Sequence, residues 1–203
     1  YDEKLEKSLS LNRKIIVELQ QQKVKNALRP ARNYKVIAVL VGLSYIACII
    51  YFWNFISSVA SIFVNISIGI HLLITIVATA MYVKQLVLIK EIDCSENIVT
   101  MQQKMARLQS STLKVIGICF LQLPIFATWN ISFELMYNRP LAFWFIQVPI
   151  VAIFTYYGIW FYKNINIKNI DKRWFRMMFW GSEWKAILKS GQFLKEIEDF
   201  EQA

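Results

Sequence analysis

Five polar side chains, Asn65, His71, Gln122, Glu134 and Gln147, sit within stretches that are otherwise apolar. A lone ionisable group at bilayer depth is costly, so His71 is by default a candidate for proton transfer or ligand binding. It is also the single histidine of the chain. A bis-histidine haem or a multi-histidine metal centre would therefore need a second copy or another subunit. The plainer expectation is a neutral imidazole hydrogen-bonded to a neighbouring helix, for example to Gln122 or Gln147. Glu134 falls near Arg139, and a solvated pair at the water boundary suits it better than a proton relay, which wants acids in series. Asn65, His71 and Gln122 are the set a pore would use. There is no Gly-rich phosphate loop, HExxH or CxxC, so no catalytic residue, metal ligand or cofactor is expected.

These residues are carried by four apolar runs, 36–55, 62–83, 115–137 and 141–162. A helix rises about 1.5 Å per residue, so roughly 20 residues cross a hydrocarbon core about 30 Å thick. Every run is that long. The fold class is therefore all-α: a polytopic membrane protein with a bundle of four transmembrane helices over 36–162 and short outer connections. Pro124 and Pro149 are expected to kink the third and fourth spans. Small residues, Gly42 with Ala38 and Ser44, Gly69 with Ser61 and Ser67, permit close helix contacts.

Orientation follows from the basic residues. Of the 23 Lys/Arg, nine precede the first span, five lie over 84–114 and eight follow from Lys163 onward. The remaining one, Arg139, sits between spans three and four. Lys35, Lys84, Lys114 and Lys163 each close a span at the same end. Basic residues near span ends stay on the cytoplasmic side, which places both terminal segments and the 84–114 hairpin there. The net charge of +9 thus faces an anionic leaflet, and no direct contact with nucleic acid is expected. Tyr51, Phe52, Trp53, Tyr137 and Trp144 would mark the outer interface, and Tyr34, Tyr82, Trp160 and Tyr162 the inner one. Three cysteines, two of them in spans, imply no disulfide framework. A charged segment precedes the first span, and no cleavable signal peptide is expected in it.

The segments outside the spans are amphipathic. Over residues 2–29, Leu5, Leu9, Ile16 and Leu19 recur at helical spacing, with Val24 and Leu28 extending that side. Pro30 is expected to end the helix, after which Arg29, Arg32 and Lys35 anchor the entry to the membrane. Span two is expected to run on through Leu86 and Ile89. Asp93 then reads as an N-cap with Glu96 three residues on, starting a helix whose stripe is Ile98, Met101, Met105 and Leu108. In the 163–203 tail, Trp174, Phe175, Met178, Trp180 and Trp184 mix with basic residues, a pattern suited to a helix in the headgroup region. Trp174, Met178 and Trp180 are expected to be among its buried residues. A last acidic amphipathic helix is expected over 192–201.

The opening Tyr1-Asp2-Glu3-Lys4-Leu5-Glu6-Lys7, the hairpin Ile89-Lys90-Glu91-Ile92-Asp93 with Met101-Gln102-Gln103-Lys104, and the closing Leu194-Lys195-Glu196-Ile197-Glu198-Asp199-Phe200 carry a likeness. In layout the chain resembles small four-span membrane proteins encoded beside extracytoplasmic-function sigma factors in Gram-negative bacteria. Such proteins are regarded as anti-sigma or sigma-associated regulators. The resemblance implies a bacterial inner-membrane location, no catalytic residues and a soluble partner bound through cytoplasmic helices. The partner surface would be Leu5, Leu9, Ile16 and Leu19 with Ile98, Met101 and Met105, since helix-in-groove binding needs an apolar stripe. The Trp174 to Trp184 stretch departs from the plain charged helix of that pattern. Besides a non-enzymatic regulator or scaffold, the residues leave open an accessory subunit of a larger membrane complex, a homo-oligomer, and a small channel or transporter.

Overall fold

The computed structural model describes residues 2–92, 98–179, 181, 184–185, 187–190 and 192. Among them the chain is helical and has no strand. Four helical stretches are long and apolar enough to cross a membrane: Gln22–Ile56, Ile62–Glu91, Val99–Thr128 and Pro140–Asn164.

The first helix, α1 (Asp2–Ile56), runs unbroken for 55 residues and passes straight through Pro30. This corrects the expected stop. Proline removes one backbone hydrogen bond and crowds the preceding turn, at a cost of about 3 kcal/mol in a free helix. Here Val24, Leu28 and Ala31 flank the proline and are buried with Ile89, Ile92, Met101, Met105, Leu108 and Ile187. Each large side chain so buried contributes about 1.5–3 kcal/mol, so packing on both sides outweighs the break.

The chain turns back through Ser57–Ser61 into α2 (Ile62–Glu91). Ser61, with extended backbone, caps it by accepting the Val64 N–H. As expected, α2 continues past Lys84 through Leu86 and Ile89. The proposed cap at Asp93 and Glu96 lies outside the described residues.

The third span differs from its expected bounds. α3 (Ile98–Phe120) joins the stripe of Met101, Met105 and Leu108 to the span without interruption, and α4 (Gln122–Thr128) completes it. Between them the Leu121 N–H bonds to the Ile118 carbonyl, one residue tighter than an α-turn. Pro124 is the cause, having no N–H to give Phe120. Beyond Thr128 the chain leaves the helix. Ser132 then caps a new short one, α5 (Phe133–Asn138), by accepting the Leu135 N–H at 3.1 Å. Glu134 is therefore exposed in the first turn of α5, where the helix dipole favours an acid, and not in the span. The expected pair with Arg139 does not form among the described residues.

The fourth span opens with α6 (Pro140–Ala142), widens to a π-turn over Phe143–Gln147 and continues as α7 (Val148–Asn164). The wide turn, closed by the Val148 N–H on the Phe143 carbonyl, lies just before Pro149, which has no N–H to continue the ladder. In the second half of α7, Gly158 rests on the break in span three. A Cβ there would lie 3.0 Å from the Phe120 carbonyl oxygen and 3.1 Å from Pro124 Cδ.

The spans form an open row. α1 packs on α2, α2 on α3 and α4, and these on α7, while no comparable contact joins α1 to α7 among the described residues. The expected bundle thus has its first span at an edge, and no residue in the most apolar stretch of that span is buried. Past α7, a 3-10 turn (Ile167–Asn169) leads to α8 (Arg173–Met178). Phe175 and Trp184 are buried with Leu113 and Ile165, against Ile116, Phe120 and Phe161. The aromatic tail therefore folds onto the chain's own third and fourth spans. Met178, expected to be buried, is exposed as the last residue of α8, and Phe175 carries the burial one turn earlier. Trp174 is half-buried, its ring tilted against that of Trp160. Trp180 and the expected 192–201 helix, apart from Gln192, lie outside the described residues.

Candidate functional site: a buried polar seam

One face of α2 carries Ser67, His71, Thr75 and Thr79, each four residues after the last, and all four are buried. Four-residue spacing keeps side chains on one helical face, and here that face meets α1 on one side and α3 and α4 on the other. Ser67 shares a hydrogen bond with Thr128 at 2.9 Å. His71 Nε2 lies 2.8 Å from the Tyr45 hydroxyl of α1. Gln122 donates to Thr75 Oγ1 at 3.1 Å. Thr75 and Thr79 also donate back to the carbonyls of His71 and Thr75, both at 2.8 Å. Gln147 donates to the Ala127 carbonyl near the end of α4.

The expectation that His71 bonds a neighbouring helix holds, but with a different partner. Tyr45 takes the place given to Gln122 or Gln147, each of which is engaged elsewhere. The imidazole also meets Phe126 and Trp129 edge-on, at ring separations of 4.8 and 6.1 Å. Its Nδ1 is buried with no hydrogen-bond partner among the described residues. Asn65 sits nearer the span end, taking a hydrogen bond from Trp53 Nε1 at 2.8 Å and turning its amide to the Ser57, Ala60 and Ser61 carbonyls. It fixes the turn between the first two spans. No cluster of three or more metal-ligating side chains occurs among the described residues.

The seam ends in a polar junction. Lys35, expected to reach the headgroups like its three counterparts, is fully buried, whereas Lys84, Lys114 and Lys163 are exposed. Its ammonium donates to Gln85 Oε1 on α2 and to Thr112 Oγ1 on α3, the latter at 3.1 Å. It also sits 5.4 Å from the centre of the Tyr82 ring, within cation–π range. Gln85, itself fully buried, passes its amide on to Ser111 at 3.0 Å. Lys35 thus ties three helices where the seam meets the basic end. A Lys flanking an apolar run is usually solvated, so its composition alone gave no sign of this. The four-residue repeat along α2 was the signal available for the rest.

The expected partner surface divides. Met101 and Met105 are buried in the core formed with α1, and offer no surface. Leu19 is exposed, and so are Leu11 and Ile15, at 54, 58 and 45 % respectively. The side chains of Leu5, Leu9, Ile16 and Ile98 lie outside the described residues. Compared with models of known families, with curated proteins and with solved structures, the chain matches none.

Proposed function

We propose that this is a non-enzymatic membrane-anchored regulator or scaffold that holds a soluble partner on α1. The observation carrying this reading is the exposed stripe Leu11, Ile15 and Leu19, at i, i+4 and i+8 on a helix continuous with the first span. Three large apolar side chains in line on a solvated helix face suit a hydrophobic groove on another protein. The distribution of basic residues favours a cytoplasmic position for this arm. The likeness of the charged terminal segments makes an extracytoplasmic-function sigma factor the first partner to test, with the bacterial inner membrane as the setting. The seam favours a structural role for the spans, since its polar groups largely bond one another.

A second reading, an accessory subunit of a larger membrane complex, is favoured by the edge position of the first span. A pull-down of the full chain from detergent extract, beside Leu11→Asp/Ile15→Asp/Leu19→Asp, separates the two. Loss of a soluble partner in the variant, with membrane insertion intact, supports the scaffold. Recovery of the same membrane subunits with both forms supports the second reading and refutes the first.

A further inference from the structure

Between α1 and the end of α2 lies a cavity of about 710 Å³, lined by Lys25, Asn26, Arg29, Arg32 and Lys90 over a floor of Leu28, Val36, Leu86, Ile89 and Ile92. Among the described residues, four cations and no acid line it. Arg29, Arg32 and Lys90 are exposed and make no ion pair or hydrogen bond through their side chains to another described residue. The cavity sits at the basic end of the spans, where Val36 begins the first apolar run. Its walls thus combine a cationic rim with an apolar base at the depth where a lipid headgroup meets its glycerol and acyl chains. We propose that this groove is a binding site for one anionic phospholipid bearing two phosphates, of the cardiolipin class.

Charge and shape together favour that occupant. Basic pockets between transmembrane helices bind polyanionic lipid headgroups, and the three cations Arg29, Arg32 and Lys90 exceed what a single phosphodiester requires. Arg29 and Arg32 are three residues apart on one helix face, and Lys90 approaches from α2, so two phosphates can each meet a guanidinium or ammonium donor. Guanidinium matches phosphate oxygens through paired N–H donors. The Leu86, Ile89 and Val36 side chains offer the start of the acyl chains an apolar wall, which a water-soluble anion would not use.

Native mass spectrometry of the full chain in detergent, titrated with tetraoleoyl cardiolipin and with dioleoyl phosphatidylcholine, tests the site. One cardiolipin is expected to be retained in preference to phosphatidylcholine. Each cation removed should weaken it about fivefold, which corresponds to about 1 kcal/mol per basic residue at the membrane surface. Arg29→Gln/Arg32→Gln/Lys90→Gln should therefore lose affinity on the order of 100-fold, and Lys90→Gln alone about fivefold. The charge-matched Lys163→Gln/Arg173→Gln/Arg176→Gln should bind as the parent does. Equal losses in the two triple variants would mean diffuse attraction and overturn the proposal, as would no preference for cardiolipin. Displacement of the lipid by inorganic pyrophosphate at comparable concentration would assign the site to a soluble anion and also overturn it.

Discussion

Removing Gln85 should cost more than removing the lysine it holds. In Gln85→Leu the Lys35 ammonium stays in the junction without its Gln85 acceptor, and the Ser111 hydroxyl loses a donor. A hydrogen bond to a charged group contributes about 1.5–3 kcal/mol net, and leaving the part-buried Ser111 hydroxyl without that donor costs up to about 1 more. The loss should be about 3 kcal/mol. In Lys35→Met the Gln85 and Thr112 oxygens lose a donor, but the buried charge, whose desolvation costs several kcal/mol, goes as well. Those effects oppose each other, leaving a change within about 1 kcal/mol. The double variant Lys35→Met/Gln85→Leu should resemble Lys35→Met, giving a coupling energy of about 2–3 kcal/mol in a double-mutant cycle. Reversible unfolding of the full chain by SDS in mixed bicelles, followed by tryptophan fluorescence, supplies the four free energies. Additivity within about 0.5 kcal/mol, or a larger loss from Lys35→Met than from Gln85→Leu, would refute the account of the junction.

Gly158→Val should destabilise the pairing of α7 with the third span by about 1–3 kcal/mol, read as a lowered detergent-unfolding midpoint, since even a Cβ there meets Phe120 and Pro124. His71→Asn should keep assembly intact and lose little stability, because a single interhelical hydrogen bond contributes only about 0.6 kcal/mol on average; loss of all output with the fold intact would overturn the structural role. Phe175→Ala should cost about 3–5 kcal/mol and release the tail, seen as faster proteolysis after Lys172. A membrane-impermeant thiol reagent should label Cys94 only after permeabilisation; labelling in intact cells would reverse the proposed orientation.

The spans were legible because hydropathy over about 20 residues is a long-range average that no single residue overrides. Features that hang on one residue are less legible. Pro30 stops a free helix, yet Val24 and Ala31 find partners from α2, α3 and the tail, and those contacts are invisible in a local window. Glu134 was placed in a span because the apolar run continues past Thr128, while Ser132 supplies the cap that starts a separate helix. His71 does bond across helices, but its partner Tyr45 is not read from the sequence, since depth can be counted there and rotation between helices cannot. Lys35 shows the same gap. Its position at a span end matches Lys84, Lys114 and Lys163, and only the angle of α1 against α2 turns it inward. Gly42 is legible from its small neighbours, and a Cβ there would lie 2.6 Å from Thr79 Oγ1; Gly158 stands alone without neighbours of that kind, and what it meets is the Phe120 carbonyl and Pro124 on another helix.

The unbroken α1 has a mechanical consequence. Val24, Leu28 and Ala31 are gripped by the core at the basic end, while the span beyond them touches chiefly α2. That grip is a fulcrum. From Leu11 to Val24 the outer arm measures about 20 Å, and from Ala31 to Ile56 the inner arm about 38 Å, at roughly 1.5 Å per residue. A rod with those arms, tilted by a load that shifts Leu11 sideways by about 3 Å, carries Ile56 about 6 Å in the opposite direction. A displacement at one end of the rod therefore arrives at the other inverted and nearly doubled, with the force about halved, and the turn held by Asn65 and Trp53 is the point where it is delivered.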